Sequence, residues 1–535
     1  MGGHVFVVGA DLTRLSCDDV LVPTGRALRI GPSWRSLVPE ELVGAEDADG
    51  ICLDLAWSGG ERVLQLGGDP CVWLVDTVVD EARGLSWLLD GAREALAAVA
   101  ARPVERPRHG RARRLVGLPA LGTGWGGAAG TRGDLLRQLL PVLREGAAEH
   151  GVDVALVLRG PSDLAAAQRV RRGEDGGWDL PEPLVRVAEE LGRMARLGRL
   201  ALFVGAGVSA AAGLPTWEQL LDELAARSGL DAGLRAGLAQ LPAQDAAALL
   251  ARELGRERLE AYVQERFGSG RYALAHALVA DLPVQEFVTT NYDPLVEQAA
   301  ADVGRDLTVL PFDEPRPGAP WLLKLHGDAA HPASIVLTRE EYLQFGDTRA
   351  ALAGVLPSLL LTRHVLFVGT SMQDDDLIRI AHQVRSAVQL PGSPSGRRSG
   401  TVLALREDPV RSRLWERDVT TVAMAEADAA PAEAARRLEV FLDLIGCLST
   451  PPTGYLLDPS YRGLLDAEER GLAEVLQAVA DRLPAPAHRS EAAEEVHALL
   501  RRLGAGSSAG KPAEDGPVDE ATLPRDDRPQ EQRPG

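Results

Sequence analysis

The chain has 535 residues, 45% hydrophobic and 25% charged, with four cysteines and a formal net charge of −20. That length exceeds one core and fits several domains, and the acidity speaks against a nucleic-acid partner, because neutralising phosphates with Lys and Arg dominates such affinity. No amino-terminal signal pattern or bilayer-length apolar run is visible, so no membrane is expected, and the few scattered cysteines suit a reducing cytoplasm.

From the amino end, VFVVGADLTRL predicts a strand and turn, CDDVLVPTG a buried strand, and RRLVGLPALGTGWGGAAG a strand running into a glycine loop. Helix TRGDLLRQLLPVLREGAAEHG and strand VDVALVLRG follow, while the basic run RPRHGRARR reads as a short solvated loop. Backbone amides of a loop such as Gly122-Thr123-Gly124-Trp125-Gly126-Gly127 form an anion nest. So many glycines in one turn, with Gly130 beside them, are costly for scaffold alone.

On these residues the unit 1–172 resembles the macro domain, an α/β/α fold that binds ADP-ribose. The resemblance implies that Asp11 meets adenine and that Gly122, Thr123, Gly124, Trp125, Gly126 and Gly127 wrap the diphosphate. Ala10 replaces the family's glycine, and Val22-Pro23-Thr24-Gly25 stands where its asparagine-containing turn belongs. Binding without turnover is therefore expected, unless the fold has been kept and the pocket lost.

The glycine- and charge-rich stretch 173–183 reads as a linker. A second unit, 184–450, opens with an amphipathic helix and then LALFVGAGVSAAAGLPTW, an apolar strand, a glycine turn and a helix, which offers bare backbone and a helix start to a pyrophosphate. A mostly helical insert follows: EQLLDELAARSGL, AQDAAALLARELG and RERLEAYVQERF each repeat apolar residues every three or four positions. Three further apolar runs end in polar residues, FVTTNYD, LLKLHGD and LFVGTS, as strand ends of a parallel sheet do. Helix IRIAHQVRSAV, loop PGSPSGRRSG, strands TVLALR and VTTVAM and helix AEAARRLEVFLDLIG complete an α/β sheet.

The order GAG-x-S…G-x-P, T-x-N-x-D, HG, GTS, spanning roughly residues 199–445, resembles the sirtuin family and implies a Rossmann-like parallel-sheet domain that cleaves NAD between nicotinamide and ribose. By that resemblance Gly205, Ala206, Gly207, Ser209, Pro215 and Thr290 line the NAD site. Asn291 and Asp293 hold the nicotinamide ribose, His326 is the base, and Gly369, Thr370 and Ser371 contact the other end of the dinucleotide. The residue types suit the chemistry: losing nicotinamide leaves an oxocarbenium-like sugar, which needs a fixed ribose, a positioned water and a proton acceptor. Read alone, His326 could be a satisfied histidine at a strand end, and Asn291 an Asx turn opening a helix.

Protein-deacylating members carry two CxxC pairs after the HG segment. Here Cys17, Cys52, Cys71 and Cys447 all lie elsewhere, so no zinc is expected, and water replaces the acyl-peptide as acceptor. The short interval from His326 to Gly369 shows one helix-like run. Thr216, Trp217 and Glu218 replace the family's residues after G-x-P. The triplet Asp374, Asp375, Asp376 reads as a helix cap rather than a metal site.

The pattern is similar to bacterial sirtuin-like antiviral proteins, and an Ala-, Arg-, Gly- and Leu-rich, Lys-poor composition fits a high-GC bacterium. The expectation is an NAD hydrolase releasing nicotinamide and ADP-ribose, regulated by an ADP-ribose-like nucleotide on the first unit, answering a phage-derived or operon-encoded trigger, and homo-oligomeric. The alternatives are an NAD-dependent deacylase or ADP-ribosyltransferase, a non-catalytic sensor, and a pure assembly scaffold. Residues 451–503 read as a two-helix extension, and 504–535, poor in large apolar residues, as a disordered tail.

Overall fold

The computed structural model describes residues 2–47, 50–57, 61–78, 84–122, 131–173, 178–348, 350–370, 399–483 and 490–506. Of the residues singled out above, Thr123, Gly124, Trp125, Gly126, Gly127 and Gly130, Ser371, Asp374, Asp375, Asp376 with the helix and loop that follow, and the tail from 507 lie outside the described residues.

In the first unit a six-stranded sheet is built from β1 (Val5–Gly9), β2 (Asp19–Thr24), β6 (Val63–Gly67), β7 (Cys71–Asp76), β8 (Leu115–Pro119) and β9 (Asp153–Leu158). Its order is β1-β9-β8-β2-β7-β6, parallel except for the β6–β7 pair. A small antiparallel sheet, β3 (Arg29–Ile30), β4 (Val43–Asp47) and β5 (Gly50–Leu53), lies beside it. Strand residues alternate between the sheet's faces. Val5, Val7, Val116 and Val154 therefore meet helices α1 (Leu85–Ala101) and α2 (Arg132–His150), whereas Phe6, Val8, Val20 and Ala155 enter a core shared with the second unit. Helix α3 (Pro161–Arg172) closes this unit.

The second unit starts with α4 (Glu182–Arg196), whose first two residues already lie inside the stretch that reads as linker. Its seven strands are β10 (Leu200–Val204), β11 (Glu286–Thr289), β12 (Thr308–Leu310), β13 (Trp321–Lys324), β14 (His364–Val368), β15 (Gly400–Arg406) and β16 (Val419–Ala425). They are all parallel, in the order β12-β13-β11-β10-β14-β15-β16. A short α5 (Ala206–Ala210) follows β10. The helical insert holds α6 (Trp217–Arg227), α7 (Ala232–Leu238), α8 (Ala243–Leu254), α9 (Arg256–Phe267) and α10 (Leu274–Asp281), and α11 (Leu295–Asp302) follows β11. Between β13 and β14 run α12 (Arg339–Thr348), α13 (Ala350–Ala353) and α14 (Val355–Thr362), more helix than the single run expected there. Helix α15 (Pro409–Trp415) links β15 to β16, and α16 (Pro431–Ser449) packs on α4 and α10 and also reaches α3 and β1.

The two units are therefore fused through α16. Asp443 accepts hydrogen bonds from Arg171 at 2.6 and 2.8 Å and lies 2.8 Å from His4 Nε2. Burial alone would raise this carboxyl, but the Arg171 guanidinium holds it below its ordinary value. Arg436 of α16 grips Asp153 at 2.8 and 2.9 Å. The run RPRHGRARR is not a solvated loop: Arg111 forms a bidentate pair with Glu439 of α16 at 2.6 and 2.8 Å, and Arg114 pairs with the fully buried Asp19. Buried carboxylates on the neighbouring elements draw these guanidinium groups inward, a nonlocal pull that composition does not reveal.

The extension contains α17 (Ala467–Ala480) and α18 (Glu491–Arg502), as read from sequence. Tyr455, Leu456, Tyr461, Leu465 and Leu500 belong to the first unit's core beside α2 and α3. Chain order thus returns from the second unit to finish the first. Among the described residues no helix is long and apolar enough to cross a membrane.

Candidate active site

Register places the four motifs at one level. Val204 pairs with Thr289 and with Val368, and Thr289 pairs with Lys324. The turns opening at Gly205, Thr290, Leu325 and Gly369 therefore leave four adjacent parallel strands along one carboxyl edge, and Asn291 and His326 each stand two residues beyond the paired level on neighbouring strands. Strand order reverses between β10 and β14, the position where open α/β sheets bind ligands.

The glycines of the first and fourth motifs serve each other. The Gly205 amide donates to the Val368 carbonyl and the Gly207 amide to the Gly369 carbonyl, both at 2.8 Å. A Cβ at Gly205 would stand 2.6 Å from the Gly369 carbonyl oxygen, and one at Gly369, where φ is +71°, 2.7 Å from the Val208 nitrogen. Such contacts leave no room for a side chain. Two amides expected to face a pyrophosphate are thus engaged within the protein, and the following helix, α5, is only five residues long.

Beneath this turn lies a buried polar network. Asn291 Nδ2 donates to Ser209 Oγ at 2.9 Å and to the Gly205 carbonyl at 3.2 Å; because a carbonyl only accepts, the amide's orientation is fixed. Ser209 Oγ donates to Asp293 Oδ2 at 2.8 Å and lies 3.4 Å from His276 Nε2. His276 Nδ1 accepts from the Ala273 amide at 3.2 Å, which leaves the proton of the neutral ring on Nε2, facing Ser209. Burial in apolar surroundings drops the His276 pKa to about 4, so the ring is neutral across physiological pH. Asp293 Oδ1 accepts from the Leu295 amide at 3.2 Å and opens α11. The local turn role considered for Asn291 thus falls to Asp293, while Asn291 reaches across to β10. Asn291 Oδ1 is buried with no hydrogen-bond partner among the described residues.

His326 is buried on the adjacent turn, with Nδ1 3.4 Å from Tyr342 Oη and the two rings edge to face at 5.0 Å. Tyr342 stands on α12, and α12 is bound to the helical insert through Arg339–Asp245 and Arg256–Glu341. Gly327, at φ +95°, lies so close to Ser334 that a Cβ would meet its carbonyl oxygen at 2.4 Å. Pro215 is buried and Ala206 exposed beside the crevice, and Thr290 and Thr370 are half-buried at strand ends. A cavity of about 740 Å³ adjoins this edge, lined among others by Gly207, Gly369, Thr370, Leu403, Arg406 and Glu439. Among the described residues no cluster of three or more His, Cys, Asp or Glu is placed to hold a metal ion.

Sequence reasoning missed two groups. Lys324, inside the apolar run LLKL, is fully buried and contacts Asp328, Glu297 and the Asp293 carbonyl; His276 lies in ALAHALVA. A lone ionisable residue within an apolar strand or helix was the available signal, since burial there demands partners.

In the first unit Asp11 is half-buried. Its carboxylate accepts from Thr13 and Arg159, and its amide donates to Tyr272 Oη of the second unit at 2.8 Å. A cavity of about 330 Å³ lined by Leu12, Trp34, Pro119, Arg132, Arg159 and Asp163 opens at the adjoining ends of β8 and β9. Gly122 is buried in the left-handed region at φ +78°.

Residues 285–418, within the second unit and including the turns that bear Asn291, His326 and Gly369, match the family model described as SIR2-like domain. Among curated relatives, the NAD(+) hydrolase ThsA of Cytobacillus dafuensis is 33% identical over 192 residues, covering 35% of this chain and 38% of its own. The NAD(+) hydrolase ThsA of Enterococcus faecium is 32% identical over 198 residues, with 35% and 40% covered. Defense-associated sirtuin 2 of Bacillus subtilis is 23% identical over 219 residues, with 38% and 21% covered. The chain thus spans about two fifths of the length of the ThsA relatives it matches. The Oceanobacillus iheyensis macrodomain with ADP, 14% identical, aligns over 31% of this chain and 89% of its own at a TM-score of 0.24.

Proposed function

We propose that the second unit hydrolyses NAD to nicotinamide and ADP-ribose. The observation that carries this reading is Asn291: its amide nitrogen is pinned by Ser209 and Gly205, while its buried carbonyl oxygen has no hydrogen-bond partner among the described residues. A buried acceptor left unpaired costs ~1–3 kcal/mol, so its partner is a substrate hydroxyl or the attacking water. In the reaction the bond between ribose C1′ and the nicotinamide nitrogen breaks, its electron pair neutralising the pyridinium. Water then bonds to C1′ and gives up a proton, for which His326 is the acceptor. Asn291 and Asp293 hold the ribose. Gly205, Ala206, Gly207, Ser209, Pro215 and Thr290 line one side of the dinucleotide, and Gly369, Thr370 and Ser371 the other. The relatives named as NAD(+) hydrolases support this assignment.

The same reading makes the chain a bacterial antiphage effector. An ADP-ribose-like nucleotide at Asp11 and the loop Gly122 to Gly127 shifts the enzyme between silent and active states, and a nearly complete switch needs about 5.5 kcal/mol of differential binding. Chromatography of NAD incubated with wild type, Asn291→Ala and His326→Ala, with and without ADP-ribose, tests both parts. Nicotinamide and ADP-ribose should appear with wild type only. Equal release by all three proteins refutes the site, and a rate indifferent to ADP-ribose and its analogues refutes the regulation.

A further inference from the structure

Lys324 is the last residue of β13 and is wholly buried. Its ammonium donates to the Asp293 carbonyl at 2.8 Å and to Asp328 Oδ2 at 2.6 Å, pairs with Glu297 Oε1 at 2.7 Å, and has the Tyr292 carbonyl at 3.3 Å. Three short contacts use the three N–H bonds of an ammonium. They run to different elements: the turn bearing Asn291 and Asp293, the first turn of α11, and the turn bearing His326. Leu322, Leu323 and Leu325 around it show what this strand otherwise takes, and an apolar side chain here would avoid the cost of burying a cation. Burial pushes the Glu297 carboxyl up to about 7 against the pull of Lys324, so the cluster is held together at the expense of a poorly solvated carboxylate. A group kept on such terms sets geometry.

We propose that Lys324 is a positioning residue for NAD cleavage: its buried ammonium locks the Asn291–Asp293 turn to the His326 turn, so that the ribose-holding groups and the base keep one spacing. This rests on the hydrolase reading. A backbone hydrogen bond, from the Ala329 amide to the Tyr292 carbonyl at 2.9 Å, also links the two turns, and the ammonium adds contacts on both sides of it; misplacing reacting groups by about 1 Å costs roughly 100-fold in rate.

The test uses the full chain as wild type, Lys324→Met, Lys324→Met/Glu297→Gln, and Leu322→Ala as a core-cavity control. Lys324→Met should lower kcat about 100-fold with KM within about threefold, the signature of lost positioning rather than lost binding. Lys324→Met strands two carboxylates, of which Asp328 keeps the Ala330 amide at 2.6 Å; the double variant removes the other, Glu297, and should regain part of the thermal stability but not kcat. Leu322→Ala should melt earlier yet keep kcat near wild type. Hydrogen exchange should quicken in 290–297 and 326–331 of Lys324→Met while 200–204 and 364–368 stay protected. Wild-type kcat in the double variant, or exchange that rises evenly across both sheets, overturns the proposal. If wild type itself releases no nicotinamide, the hydrolase reading fails, while the exchange pattern still decides whether Lys324 couples the two turns.

Discussion

Arg111→Met is the sharpest probe of how the first unit is held to the second. Arg111 and Glu439 are 10% and 8% exposed, so their bidentate pair is a buried one; surface pairs contribute only ~0–1 kcal/mol. Removing the guanidinium leaves Glu439 buried without it, whereas Asp153, 3.6 Å from Arg111, keeps its pairing with Arg436. One stranded charge sets the size of the loss, about 3–5 kcal/mol. In Arg111→Met/Glu439→Gln no charge is stranded, so the double variant should be more stable than Arg111→Met alone, and the cycle should give a coupling of about 2 kcal/mol, in the range for contacting residues. Urea unfolding of wild type, both single variants and the double measures the cycle. A loss under about 1 kcal/mol for Arg111→Met, which is the surface value, or a double variant less stable than Arg111→Met, refutes the reasoning. Because Glu439 also lines the large cavity beside Gly207 and Gly369, NAD affinity should weaken in the same variants.

Asp281 gives a pH prediction. Burial lifts its carboxyl to about 7, against the Gly9 amide, which donates to it at 2.6 Å, and the Arg305 charge, and with Asp443 adding to the rise. The folded value exceeds the ordinary one, so this contribution to stability is complete below about pH 4 and is lost as pH rises through about 7. Asp281→Asn should flatten the melting-temperature profile across that window and stabilise the protein at neutral pH; an unchanged slope refutes it. Gly369→Ala places a Cβ 2.7 Å from the Val208 nitrogen at a left-handed residue that costs an L side chain ~1–2 kcal/mol, and should abolish nicotinamide release. Gly446→Ala, inside α16 with nothing within 4 Å of the new Cβ, should raise stability by up to ~1 kcal/mol, and calorimetry of the pair distinguishes crowding from propensity.

Within the second unit, what the sequence shows is what short-range patterning can carry. LALFV, EFVT, WLLK and HVLFV are apolar runs bounded by turn residues, and each forms a parallel strand whose polar exit lies at the carboxyl edge. Three helices of the insert, α6, α8 and α9, are legible because their apolar residues recur at helical spacing, while the short α7 and the almost wholly buried α10 show no such alternation. What escaped depends on partners distant in sequence. Nothing near Arg111 reveals Glu439, and nothing in TGYLLDPSY reveals that Tyr455 and Tyr461 complete a core begun by Val5. The segment from Arg26 to Gly110, with its small antiparallel sheet and α1, lacked a motif to anchor it. In sequence Gly205 and Gly207 look like openings for a ligand, yet their missing side chains make way for Gly369, because a close approach of two backbones and a close approach of backbone to ligand demand the same residue.

The position of α16 and the segment after it bears on how the protein is made. The first unit's sheet emerges early from the ribosome, but its outer face awaits α16, and its other core awaits Tyr455, Tyr461 and Leu500. At ~5–20 residues per second, translation leaves that sheet incompletely covered for tens of seconds. A nascent or prematurely terminated chain would therefore expose apolar strands and unpaired Arg171 and Asp153, and be a substrate for chaperones and proteases.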